Sequence, residues 1–421
     1  MDTRRKTKLL VGFLTVSMGL AACGITAQEQ EAPDLPTKAE AYTVKDITYT
    51  DTAEEGIADF GIRLLSASAA PGENMLISPF SVSAALGMTM NGADRETLAE
   101  MENVLGMGPE ELSQWFVGHR EAWEESGELL LANSLWVNEN RDYRPDPDFI
   151  KVNEDSYGAE IFLEPFTGKT AKRINGWVKK HTDGMIPKIL KEDVPDALMD
   201  EASMYLVNAL SFEAEWPAPY EEHQVRDGTF TTGAGEERMV SFLHSTEHLY
   251  LETEKAVGFL KPYKGQRYAF GALLPIEGSS LEELILSLDG EILTRLVTEP
   301  SEEEVITAVP KFETASQAEL RDILSAMGMP LAFEEGEADF SKIAGPEHPM
   351  YISRVLHKTF LSLGEEGTRA GAATAVEMKT ESCAEFAEPP HEVILDRPFL
   401  YFIVDRETGT PVFLGTMNDP T

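Results

Sequence analysis

Residue types that could do chemistry are present but not arranged for it. The eight histidines are scattered without the spacing of metal ligands or of a base beside a nucleophile. His391-Glu392 begins a zinc-protease pattern and lacks its second His, and there is no G-x-S-x-G, no C-x-x-C and no phosphate-cradling glycine loop. Gly106-Met107-Gly108 lacks the rest of a dinucleotide fingerprint and follows a helical pattern, so it reads as a helix stop. With no nucleophile and base to nominate, the chain reads as a non-enzyme, and no cofactor or metal is implied.

The cysteines tell a different story. Arg4, Arg5, Lys6 and Lys8 lead into a mainly apolar run from Leu9 to Ala22, too short to span a bilayer and shaped like the core of a signal peptide. Leu20-Ala21-Ala22-Cys23 looks like a bacterial lipobox, so residues 1–22 are expected to be removed and Cys23 lipidated. Acyl chains worth about 0.8 kcal/mol per buried methylene would then anchor the chain to a membrane surface without spanning it. The expected place is extracytoplasmic, on a bacterial membrane at the cell surface or facing the periplasm. Residues 23–45 are polar, carry Pro33 and Pro36, and read as a tether. Cys383, the other cysteine, has no disulfide partner; it is either an exposed redox-sensitive thiol or incidental.

The net charge of −38 becomes −41 once residues 1–22, with one Asp and four Arg or Lys, are gone. That balance disfavours nucleic acid and anionic lipid as partners, argues against a heparin-type site and points to proteins. With 42% apolar residues and no linker in its middle, residues 46–421 are expected to form one large domain.

One stretch departs from ordinary folding logic. Between Glu365 and Ser382 the chain reads EEGTRAGAATAVEMKTES. Beyond Gly367 its charges Arg369, Glu377, Lys379 and Glu381 share odd numbers with the following Glu385, while even positions 368–380 are Thr, Ala, Ala, Thr, Val, Met and Thr. A period of 2 is the repeat of a strand with one buried face. Yet Ala and Gly are poor strand formers. Small residues on an alternating pattern suit a mobile loop able to slide between strands already packed.

The elements that would have to position such a loop are legible. Helical spacing covers residues 52–67, and Met75–Ile77 is a short buried strand. Ser78-Pro79 has the form of an N-cap followed by proline at the first helical position. The helix it opens, residues 80–90, is apolar nearly all round and therefore central. Helices follow near 95–105 and 110–125, a strand at 129–137, and helices near 149–157 and 174–181. Near-continuous apolar runs in Met204–Phe212 and, apart from His357, Lys358 and Thr359, in 355–363 predict strands covered on both faces, the pair that the loop would part. Strands are expected at 268–274, 305–312, 393–395, 399–404 and 412–414, and helices at 281–296 and 317–327. Strands and helices do not alternate as βαβ units, so the class is α+β.

The segments NMLISPFSVSAALGMTMNGA, LVNALSFEAEW, VPKFE, ADFSKI, HKTF, EEGTRAGAATAV and RPFLYFIVDRETGTPVFLG, in this order, closely resemble the serpin family. The resemblance runs from about residue 50 to the C-terminus. It implies three β-sheets, eight or nine helices and an exposed reactive-centre loop at about 365–392. It also implies inhibition of a serine or, as a second class, a cysteine protease: the enzyme attacks the loop, forms an acyl-enzyme, and is trapped when the cleaved loop inserts into the central sheet. The alternative is a non-inhibitory serpin acting as a protease substrate or binding module. A monomer is expected.

Carried over residue by residue, the resemblance makes Glu365, Glu366, Gly367, Thr368, Arg369, Ala370, Gly371, Ala372, Ala373 and Thr374 the hinge. It makes Ser78, Ser81, Asn208 and His357 the cluster beneath the point where the sheet opens, and groups Trp216, Lys311 and Glu365 where insertion starts. Counting from Gly367 puts the cleaved bond between Glu381 and Ser382, implying a protease that accepts an acidic side chain. The stretch from Ser382 to Arg397 is a few residues longer than in many relatives, which leaves Met378, Lys379 and Phe386 as alternatives. Arg369, Gly371, Lys261 and Tyr220 depart from the residues usual in the family.

Overall fold

Met204–Phe212 is buried along its whole length, as its near-continuous apolar run predicts, in the middle of a seven-stranded sheet. The computed structural model describes residues 52–141, 143–192, 194–368 and 389–421. On one side of Met204–Phe212 lie Leu129–Asn138, antiparallel, and Glu160–Glu164. On the other side Arg354–Leu363 runs parallel to it and pairs antiparallel with Phe312–Glu319. Ala214–Glu215 prolongs the Met204 strand, and Gly367–Thr368 forms a two-residue strand.

A six-stranded sheet orders Met75–Ile77, Pro411–Met417, Phe399–Asp405, Tyr268–Pro275, Ala256–Pro262 and Tyr250–Glu252. The C-terminal strands are entirely buried. A four-stranded sheet orders His391–Ile394, Val305–Pro310, Glu237–Glu247 and Val225–Thr231. Three sheets with segregated helices make the α+β architecture expected. Among the described residues there are eleven α-helical segments, and two of them, Asp196–Asp200 and Ser341–Ala344, are no more than a turn or so.

The Pro79–Met90 helix is buried at every residue. Ser78 caps it, its hydroxyl accepting from the Ser81 N–H at 3.2 Å. Gly87 lets it approach Tyr157, whose hydroxyl would lie 2.5 Å from a β-carbon there. Among the described residues no helix is long and apolar enough to cross a membrane.

Several boundaries differ from expectation for identifiable reasons. The helix expected over 281–296 is two, Leu281–Ser287 and Gly290–Thr298, because the Asp289 carboxylate caps the second by accepting from the Ile292 N–H. The helix expected over 317–327 starts only at Arg321. Up to Glu319 the chain is strand, with Thr314, Ser316 and Ala318 turned inward and registered against Arg354–Leu363. The strand expected over 305–312 ends at Pro310 and a new one begins at Phe312 in a different sheet. Lys311 therefore stands at the corner where two sheets meet.

Residues 225–262, left unassigned by the sequence, form four strands. Val225–Thr231 leaves most side chains in solvent and contains Asp227 and Gly228, which hides the strand signal. Arg354–Leu363 is covered on both faces only at its start. Beyond it His357, Thr359, Leu361 and Leu363 are buried while Lys358, Phe360 and Ser362 are half-buried.

Candidate functional site

The Met204 and Arg354 strands share a ladder only at its beginning, where Arg354, Val355 and Leu356 face Tyr205, Leu206 and Val207. The next residues along each strand are His357 and Asn208. Above them the strands part, and among the described residues no further rung joins them. At the far end Gly367–Thr368 bridges the opening: Thr368 faces Leu363 on one side and Ala214 on the other, and Gly367 faces Glu215.

The polar cluster expected where the strands part is assembled. His357 is buried, and its Nε2 accepts the Ser78 N–H at 3.0 Å, so that nitrogen carries no proton. Burial lowers the His357 pKa to about 4, keeping the imidazole neutral over the ordinary pH range. The Ser81 hydroxyl donates to Asn208 Oδ1. Asn208 Nδ2 donates to Asn133 Oδ1 at 2.6 Å, and Asn133 Nδ2 donates to the Tyr157 carbonyl at 2.9 Å. The Thr359 hydroxyl donates to the Leu76 carbonyl at 2.9 Å. Ser78, Ser81, Asn208 and His357 thus tie the helix cap to both strands where they separate. Asn133 and Thr359 belong to this network and were missed; their one signal was a polar residue within an apolar strand.

The upper cluster is also assembled. Trp216 donates its backbone N–H to the Glu366 carbonyl at 2.8 Å and its indole N–H to the Gly364 carbonyl at 3.0 Å. The Tyr220 N–H donates to the Glu365 carbonyl at 2.9 Å. Lys311 Nζ donates to Glu365 Oε1 at 2.7 Å. Burial works to raise the Glu365 pKa, yet the Lys311 ammonium and hydrogen bonds hold it below the usual carboxylate range. Both partners are about 38% exposed, so this ion pair is worth at most about 1 kcal/mol. The three bonds from Trp216 and Tyr220, at about 1 kcal/mol net each, do more of the holding.

Thr368 is 1% exposed, and its hydroxyl hydrogen-bonds the Tyr263 hydroxyl at 2.5 Å. Tyr263 in turn stacks on Trp216, ring centroids 4.5 Å apart and planes 4° from parallel. Burial pushes the Tyr263 phenol far up, so it stays protonated. Gly367 sits at φ +151°, and a β-carbon there would lie 2.1 Å from the Ala214 carbonyl oxygen; only glycine passes this close to the neighbouring strand. Tyr263 carried no signal in the sequence. Lys261 and Tyr220, noted only as departures, lie beside this cluster: Lys261 Nζ is 5.1 Å from the Trp216 ring centroid and 4.8 Å from that of Tyr220.

Of the hinge residues, Glu365, Glu366, Gly367 and Thr368 are therefore placed. Arg369, Ala370, Gly371, Ala372, Ala373, Thr374, Glu381, Ser382 and Cys23 lie outside the described residues. Among the described residues no group of three or more His, Cys, Asp or Glu is placed to hold a metal ion.

Comparison with known proteins agrees with this fold. The chain is 32% identical over 440 residues to an uncharacterized serpin-like protein of Thermococcus kodakarensis, covering 99% of each. It is 30% identical to the leukocyte elastase inhibitor of Bos taurus, covering 83% of this chain and 94% of that one. Among solved structures it resembles the native state of the thermophilic serpin tengpin, with a TM-score of 0.80, 40% identity and coverage of 91% and 97%. Human thyroxine-binding globulin complexed with its ligand also matches, with a TM-score of 0.74, 25% identity and coverage of 88% and 98%. The family model for Serpin (serine protease inhibitor) spans residues 55–420, and the chain belongs to that family, many of whose members inhibit proteases.

Proposed function

We propose that the chain is a suicide-substrate inhibitor of serine proteases, and secondarily of cysteine proteases, that traps the acyl-enzyme by inserting its cleaved loop between the Met204 and Arg354 strands. The observation that carries this reading is the position of Gly367–Thr368, already laddered to both sides of the opening. Continuing those registers sets Ala370 opposite Leu361 and Phe212, Ala372 opposite Thr359 and Leu210, and Thr374 opposite His357 and Asn208. Six residues beyond the docked Thr368, 369–374, can therefore enter before any existing rung breaks. Going further means parting Tyr205–Val207 from Arg354–Leu356, beside the His357 cluster.

The side-chain faces support insertion. Thr368, Leu361, Thr359 and His357 are all buried, so Ala370, Ala372, Thr374, Val376, Met378 and Thr380 would turn inward without burying a charge, and Arg369 would turn to solvent. About a dozen new backbone bonds at about 1 kcal/mol net each, with Val376 and Met378 at roughly 1.5 to 3 kcal/mol each, give on the order of 10 to 20 kcal/mol before ordering costs. Cleavage after Glu381 selects a protease whose pocket takes an acidic residue. The test is to mix residues 46–421 with a glutamyl endopeptidase, trypsin, chymotrypsin, elastase and subtilisin. A denaturing gel should show a band at the summed mass, with a released peptide starting at Ser382. Clean cleavage by every enzyme, with no such band and no rise in melting temperature of the nicked protein, would assign a non-inhibitory role.

The same reading keeps the protein a monomer tethered by a lipid on Cys23, facing out of the cytoplasm. In a bacterial host the full chain should partition into detergent and carry acyl mass on Cys23, and Cys23→Ser should move it to the aqueous phase. Equal partitioning of the two would remove the anchor from the account.

A further inference from the structure

Lys261 lies on the Ala256–Pro262 strand, registered against Phe270 in the six-stranded sheet. Its side chain is 12% exposed, and Nζ donates to Glu247 Oε1 at 2.5 Å. Glu247, with its side chain 11% exposed, comes from the neighbouring four-stranded sheet. A chain of hydroxyls converges on the same carboxylate. The Ser245 hydroxyl donates to Glu247 Oε1 at 2.5 Å, which leaves it to accept from the Tyr220 hydroxyl at 3.0 Å. Burial works to lower the Lys261 pKa, but Glu247 and Tyr220 outweigh it and hold the ammonium above its ordinary value. Lys261 is therefore a cation facing two rings and one carboxylate.

Those two rings belong to the residues that hold the hinge. Trp216 and Tyr220 supply the three N–H donors to the Gly364, Glu366 and Glu365 carbonyls. Cation–π attraction from a desolvated ammonium is appreciable, and here one ammonium serves both rings. The segment that carries them has room to move, because a cleft of about 330 Å³ opens beside it, lined by Pro217, Pro219, Gln224, Glu247 and Lys261 among others.

We propose that Lys261, clamped by Glu247, is a positioning residue that holds Trp216 and Tyr220 in place and so keeps Gly367–Thr368 docked in the large sheet. The inference rests on reading this segment as the hinge of the inserting loop, and it adds that occupancy of the hinge is set from a strand of another sheet. Either residue alone, once removed, would leave a buried charge unpaired, so the informative variant is the double Lys261→Met, Glu247→Gln, with Lys261→Arg retaining the cation.

The experiment is hydrogen–deuterium exchange of the intact protein, comparing a peptide covering Gly364–Thr368 with one from the buried Phe399–Asp405 strand. The double variant should exchange about tenfold faster at Gly364–Thr368 with Phe399–Asp405 unchanged, and Lys261→Arg should stay near the parent. Unchanged hinge protection in the double variant overturns the inference, and so does equal loss of protection in both peptides, which would mark a purely structural pair. Covalent trapping by the parent protein reports separately on the insertion reading, so the two can fail independently.

Discussion

Thr368 is the residue at which the insertion path can be tested with one substitution. Its side chain is buried and its hydroxyl is committed to Tyr263, so a charge there has no water and no partner. An unpaired buried charge costs several kcal/mol. Thr368→Arg is therefore expected to turn an inhibitor into a substrate, with the yield of covalently trapped protease falling at least tenfold while cleavage continues. Trapping at the parental yield would show that a charge at position 368 does not hinder insertion of the loop. The inward parity of this position was legible from the sequence, because the charges that follow it, Arg369, Glu377, Lys379, Glu381 and Glu385, all carry odd numbers. What was not legible is the other half of the site. Tyr263, Glu247 and Asn133 are ordinary residues in their local patterns, and their roles arise from contacts across 105 residues to Thr368, 14 to Lys261 and 75 to Asn208.

At the scale of elements, the point of separation is governed by a helix cap bonded to a strand. Ser78 caps the Pro79–Met90 helix and gives its N–H to His357 on the Arg354 strand. That bond requires neutral imidazole. The His357 pKa is depressed to about 4 from 6.5, so the folded form resists a proton that the unfolded chain accepts. The linked stability is fully present above about pH 6.5 and is lost as the pH falls towards 4, by roughly 3 kcal/mol in all. Denaturant melts from pH 7 to 4 should show this fall in the parent, and His357→Gln should lack that part of it. Equal pH slopes in the two proteins would mean that His357 is not held neutral. The two strands this bond separates were readable as long apolar runs. The Val225–Thr231 and Glu237–Glu247 strands were not, because half-exposed strands carrying Asp, Gly and His lack both a clean alternation and an apolar run. The boundary at Glu319 was missed for a tertiary reason: Ala315, Gln317 and Ala318 read as helix formers locally, and pairing to the Arg354 strand overrides that preference.

The whole molecule is built around an unfinished sheet. Two central strands joined for three rungs, a polar cluster where they part and a docked Gly367–Thr368 at the far end make a slot into which the proposed mechanism feeds the chain's own loop. Its net charge of −38 disfavours polyanions as partners. The most direct measurement is the denaturing gel of residues 46–421 after mixing with a glutamyl endopeptidase, with the released peptide sequenced by mass. The account predicts a band at the summed mass of inhibitor and protease and a peptide beginning at Ser382. Complete cleavage at that bond with the protease left free and active, and with no gain in the melting temperature of the nicked chain, would contradict it.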